Sequence, residues 1–170
     1  MLSGWSDFFA MTGSAGATLV GLLFVVVTLG TGLPTSRTMD IARASMTPAL
    51  YSFSGVLLQS MVALVPWQSS WPSGAIFVVM GIGGVIYRIR AIRFRSTLHL
   101  GAISGPIDWI FHNVVPLVAS VSLITGGAGL IAGAAFGPFA IAGASVLLLV
   151  SGIYRTWGET LALIGMKEKL

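Results

Sequence analysis

The run Leu19-Val20-Gly21-Leu22-Leu23-Phe24-Val25-Val26-Val27 decides the fold. No charge follows Asp7 until the chain has passed Pro34, so the stretch from Phe8 to Leu33 exceeds the roughly 20 apolar residues that carry a helix across hydrocarbon. A helix meets that solvent well because it satisfies its backbone donors and acceptors within itself. Met1 to Ala10 contains no Lys or Arg, the positive leader of a cleaved signal peptide, so this helix is expected to be retained.

Further apolar stretches follow it. One begins at Thr47-Pro48, where a hydroxyl can cap and proline can take the first helical position, and reaches Pro66-Trp67. The next starts after Pro72-Ser73 and passes through Phe77, Val78, Val79 and Ile82 to Tyr87. The last two run from Ile110 to Ala132 and from Phe139 to Tyr154. The expected spans are therefore about 8–33, 48–67, 73–90, 110–132 and 138–155.

Composition agrees with lipid as the solvent. Hydrophobic residues make up 55% of the chain and charged residues 8%, against about 25% charged in soluble domains. The polar shell that a soluble core requires is missing. With no Pro- or Ser-rich linker, charged tail or internal period, residues 1–170 read as a single domain. The expected fold class is an all-α integral membrane protein of five transmembrane helices.

Charge gives the orientation. Arg37 and Arg43 follow the first span, Arg88, Arg90, Arg93 and Arg95 the third, and Arg155, Lys167 and Lys169 the fifth. The N-terminus and the segments 67–72 and 133–138 carry none. Short cation-rich segments stay in the cytoplasm, which places the N-terminus outside and the C-terminus inside. A pI near 10.1 invites nucleic acid as a partner, but these cations flank apolar runs, so no such partner is expected. Anionic headgroups of the cytoplasmic leaflet are the expected counterpart. Trp5, Trp67 and Trp71 would form an outer aromatic belt, and Trp109 and Trp157 an inner one.

Helices in lipid associate by close backbone approach, which favours small residues four apart. Gly13, Ala17 and Gly21 make one such stripe, Gly129, Gly133 and Gly137 another, and Gly81 and Gly84 add to them. They suit packing within the chain or a homo-oligomer interface. Uncharged polar residues form candidate pore-lining faces: Ser14, Thr18 and Thr28 on the first span, Ser52 and Gln59 on the second, Ser122 and Thr125 on the fourth. Gln59 is the most polar group at mid-depth, where it would line water or bond a neighbouring helix. Pro116 removes a backbone hydrogen bond early in the fourth span and should kink it.

At the inner end of that span Asp108 and His112 share a helical face with Asn113 beside them, as a capping arrangement or a charge pair. The segment Arg88-Ile89-Arg90-Ala91-Ile92-Arg93-Phe94-Arg95 alternates cations with apolar residues. It suits a helix at the headgroups or, if the third span continues, a positive cytoplasmic mouth. Asp108 and His112 would belong to the same mouth.

Mid-span ionisable groups, which coupled transporters use, are absent, and no inverted repeat joins the halves. No P-loop, zinc-protease or nucleophile-elbow motif occurs. With no cysteine, and with His99 and His112 the sole histidines, neither catalysis nor a metal or cofactor is expected. Glu159 reads as an interfacial partner of Arg155 one turn away.

Trp5, Phe8 and Phe9, followed by Gly13-Ser14-Ala15-Gly16-Ala17-Thr18-Leu19-Val20-Gly21-Leu22-Leu23-Phe24-Val25, resemble the first helix of small, uncharacterised bacterial multi-spanning inner-membrane proteins. The resemblance covers about a fifth of the chain and implies a location, a bacterial inner membrane, without an activity. The functional expectation is a homo-oligomeric channel or pore for small ions or solutes. The alternative is a non-enzymatic accessory or scaffold protein that binds another membrane protein or lipid.

Overall fold

The computed structural model describes residues 2–30, 36–97 and 106–167. A 3-10 turn, Leu2–Trp5, leads into α1 (Ser6–Gly30), α2 (Ser36–Leu64) and α3 (Ser70–Thr97). One turn of helix, α4 (Pro106–Trp109), passes through a π-helical turn (Ile110–Val114) into α5 (Val115–Ile131), and α6 (Gly137–Lys167) ends the fold. The described residues contain no strand. Leu2–Val26, Thr47–Leu64, Ser70–Arg90, Ile107–Ile131 and Gly137–Gly158 are long and apolar enough to cross a membrane.

Helices outlast their hydropathy at the basic end. α2 begins at Ser36, so Thr47-Pro48 is not its start, and Pro48 lies inside the helix. Residues 36–46 are polar, but Arg, Met and Ala among them are strong helix formers. Pro48 costs the ladder one donor, and Ser52 Oγ donates to the Pro48 carbonyl at 3.1 Å. In the same way α3 continues through Arg88, Arg90 and Arg93 to Thr97, so the arginine segment extends the third helix and is not a separate surface helix. The side chains of Arg37, Arg43, Arg95, Glu159 and Lys167 lie outside the described set, as do His99 and Lys169 altogether.

Close-approach positions fix the neighbours. α3 packs on α5, α5 on α6, α6 on α2 and α2 on α1, whereas α2 and α3, adjacent in sequence, touch little. At the α3–α5 crossing a Cβ added to Gly74 would lie 2.6 Å from the Gly127 carbonyl oxygen, and one on Gly127 would lie 2.6 Å from that of Gly74. Farther along, a Cβ on Gly81 would meet the Ser120 carbonyl oxygen at 2.8 Å, and one on Gly84 the Ser120 hydroxyl at 2.5 Å. Gly126, Gly129 and Gly137 perform the same service between α5 and α6.

Two glycines predicted as packing positions have other places. Gly133 has φ +71° and nothing within 4 Å of a would-be Cβ. Its N–H reaches the Leu130 carbonyl, and that of Ala134 the Gly129 carbonyl, which together make the left-handed stop of α5. The stripe Gly13, Ala17 and Gly21 is split. Gly13 packs on Ser60, a Cβ there meeting the Ser60 Cβ at 2.8 Å, but Ala17 is exposed and Gly21 has open space. The face of α1 that meets α2 is Phe9, Thr12, Gly13 and Gly16, all buried, because 3.6 residues per turn favours spacings of three and four in alternation.

Phe9, Val56, Phe77, Leu123, Leu130 and Ile141 fill the middle of the bundle. Apolar side chains also cover its outside, with Leu22, Phe24, Val79, Ile82, Val118 and Val150 each between 46% and 68% exposed. In water such a surface would drive aggregation, whereas hydrocarbon imposes no such penalty.

Candidate functional site

Polar residues at mid-depth are spent on one another. Ser145 Oγ donates to Gln59 Oε1 at 2.9 Å and approaches the Ile141 carbonyl at 3.1 Å, so the α2–α6 crossing holds a buried amide–hydroxyl pair. Gln59 is 2% exposed. One residue along α2, Ser60 and Thr12 bring their hydroxyls to 3.2 Å and join α2 to α1. Ser52 is fully buried and bonded back to Pro48.

The other candidate pore residues point elsewhere. Ser14, Thr18, Thr28 and Thr125 are exposed. Thr18 donates to the Ser14 carbonyl and Thr28 to that of Val25, both at 2.9 Å, and Thr125 to that of Ser122 at 3.1 Å. Back-bonding of this kind lets a hydroxyl face an apolar solvent at small cost. Ser122 is half-buried and reaches across to the Ala140 carbonyl at 2.9 Å, tying α5 to α6. The seven residues thus do not converge on one passage within the chain.

Chemistry concentrates instead at the basic end, in two aromatic clusters. Tyr51 of α2 stacks on Tyr87 of α3, with ring centroids 4.2 Å apart and planes at 12°. Phe111 of the π turn stacks on Tyr154 of α6 at 4.2 Å, and the Tyr154 hydroxyl donates to Asp108 Oδ1 at 2.8 Å. Arg88, next to Tyr87, and Arg155, next to Tyr154, are only 5% and 4% exposed.

Pro116 explains the π turn. A proline cannot donate, and its ring collides with the carbonyl four residues back, so the segment widens by one residue before it and the Val115 N–H bonds to the Ile110 carbonyl. The expected kink is realised as this wider turn. Side chains then serve carbonyls in the widened segment: His112 Nδ1 lies 2.8 Å from the Asp108 carbonyl oxygen, and Asn113 Nδ2 donates to that of Trp109 at 3.2 Å. Asp108 directs its carboxylate to Tyr154, and His112 addresses the Asp108 backbone. The sequence had no means of revealing Tyr154 as the partner, because 46 residues separate it from Asp108.

Of the four arginines taken for a cytoplasmic mouth, Arg90 and Arg93 are exposed and Arg88 is turned inward. At about 100° per residue Arg90 and Arg93 fall within about 60° of each other and well over 90° from Arg88, so the four cations do not share a single face. At the opposite end Trp5 meets Phe139 edge-on at 4.7 Å and Trp67 donates to the Val62 carbonyl at 2.8 Å, and Trp71 is exposed. Trp109 and Trp157 are exposed at the basic end. Among the described residues no group of three or more His, Asp or Glu side chains is placed to hold a metal ion. No family model, curated protein or solved structure matches the chain.

Proposed function

We propose that this chain is a multi-pass protein of a bacterial inner membrane, with its N-terminus outside and its C-terminus in the cytoplasm, and that it is a non-enzymatic accessory or scaffold subunit. It joins a second copy of itself or another membrane protein along the outer side of α1. The observation that carries this reading is the internal use of polarity: Gln59 with Ser145, Thr12 with Ser60, and Ser122 with Ala140 are spent inside the bundle. Lipid-exposed Ala17 and Gly21 meanwhile leave α1 slim enough for another helix to come close.

A homo-oligomeric pore is the second reading, favoured by the exposed hydroxyls of Ser14, Thr18 and Thr28. Its passage would run between copies and be lined by α1. Because the chain has no cysteine, single introduced cysteines report both readings cleanly. Gly21→Cys is expected to cross-link in native membranes, with Val79→Cys on the exposed side of α3 as the control, and liposomes holding the protein are expected to show no ion flux. Flux abolished by Thr18→Leu would replace the scaffold with the pore. Absence of cross-links at both Ala17→Cys and Gly21→Cys would remove α1 as the contact.

A further inference from the structure

We propose that Arg88 seats the phosphate group of an anionic ligand, the phosphodiester of a membrane phospholipid or free phosphate, between α2, α3 and the π turn. Arg88 is 5% exposed and its Nη2 is buried without a hydrogen-bond partner among the described residues. A buried guanidinium donor left in that state costs free energy until an acceptor reaches it. Asp108, a carboxylate at the same end of the bundle, accepts from Tyr154.

Depth points to phosphate. From Ser70 to Arg88 the helix rises about 27 Å at 1.5 Å per residue, close to the roughly 30 Å of hydrocarbon in a bilayer. An arginine at that boundary ordinarily extends its long stem to the headgroups. Arg88 is folded inward instead, so the acceptor has to come to it.

Register explains the inward turn. Gly74 and Gly81 are the positions where α3 touches α5, and Arg88 follows at the same interval of seven. Gly74 faces Gly127 and Gly81 faces Ser120, so the same antiparallel register carried on along α3 leads Arg88 toward the π turn that precedes α5. On the other flank Tyr87 lies with its ring centroid 5.6 Å from the Arg88 Cζ, stacked on Tyr51. Tyr51 is 38% exposed, which sets a phenol at the outer edge of that stack. A planar guanidinium presents paired donors that match two phosphate oxygens, which a point charge cannot do.

The lipid source rests on the membrane placement proposed above; the free-phosphate source does not. The full chain, purified in neutral detergent, is titrated with short-chain phosphatidylglycerol and, separately, with inorganic phosphate. Binding is read by thermal shift and by mass spectrometry of retained lipid. One probe is expected to stabilise the protein, and Arg88→Gln to weaken that probe by about tenfold or more, the order set by one charge-assisted hydrogen bond. Arg88→Lys should weaken it too, and Arg90→Gln, on the exposed side, should not. A response to phosphatidylglycerol alone identifies a lipid, and a response to inorganic phosphate a soluble anion; either supports the seat. No response to either probe, equal loss in Arg88→Gln and Arg90→Gln, or full binding by Arg88→Lys would overturn it. Should Arg88→Gln fail to fold, Arg88→Lys decides the matter. Solubility of the wild-type chain without detergent would instead refute the membrane placement, and is read separately.

Discussion

Gly81 and Gly83 form a matched pair that isolates the cost of helix contact. They lie two residues apart in α3, and alanine at either removes the same backbone freedom, a gain of at most about 1 kcal/mol. That gain cancels when the two variants are compared. At Gly83 the new methyl meets nothing within 4 Å, so Gly83→Ala should be neutral or slightly stabilising. At Gly81 it would lie 2.6 Å from Ile124 Cγ1, 2.8 Å from the Ser120 carbonyl oxygen and 3.0 Å from the Ile124 backbone nitrogen. The isoleucine side chain can turn away, but the backbone of α5 cannot, so the helices must separate by several tenths of an ångström. Overpacking of this kind costs about 1–3 kcal/mol. Gly81→Ala should therefore fall below Gly83→Ala by about that amount, measured as unfolding free energy in mixed micelles. Equal stability of the two variants would refute the α3–α5 contact and, with it, the register that leads Arg88 toward the π turn.

Ser145→Ala removes the donor to Gln59 Oε1 inside the bundle and should cost about 0.6–2 kcal/mol in the same assay; no change would mean that the amide is served by another group. Tyr154→Phe keeps the stacking on Phe111 but loses the hydrogen bond to Asp108, and should unfold at a slightly lower temperature than the wild type. Tyr154→Ala should lower that temperature further as the ring contact disappears. In intact cells Ser69→Cys should react with a membrane-impermeant maleimide, and Arg93→Cys only after permeabilisation. Reaction of both from the same side would cancel the proposed orientation.

The five long apolar helices were legible because hydropathy over about 20 residues is a strong signal that no tertiary detail reverses. Their inner ends were not. Hydropathy falls at Met46 and after Tyr87 while helix propensity does not, so α2 and α3 run on through residues that no longer report a span. Faces were legible only in part. Glycine at positions 81, 84, 129 and 137 does mark contacts, as small residues in lipid should. A spacing of four drifts around an α-helix, however, and so Gly13 and Gly21 part company, one against Ser60 and the other in open space. Gly74 and Gly127 were overlooked because each lies outside any run of fours, although their contact is among the tightest between helices.

The interval of seven is the more informative signal in α3, and it changes what the arginines mean. Read as loop charges, Arg88, Arg90, Arg93 and Arg95 are interchangeable votes for the cytoplasmic side. Projected from Gly74 and Gly81 at intervals of seven, the stripe that faces α5 passes through Arg88 and then position 95 and misses Arg90 and Arg93, and the 5% exposure of Arg88 follows from that phase. A cation at the end of a glycine stripe meets a partner helix where the backbones are close, so its stem lies along protein and its head cannot reach water freely. Here the partner helix is also widened before Pro116, in the π turn toward which that stripe leads. Two local rules, a stripe that buries and a proline that widens, thus converge on one residue. That convergence sets Arg88 apart from Arg90 and Arg93, and it makes Arg90→Gln a fair control for any property assigned to Arg88.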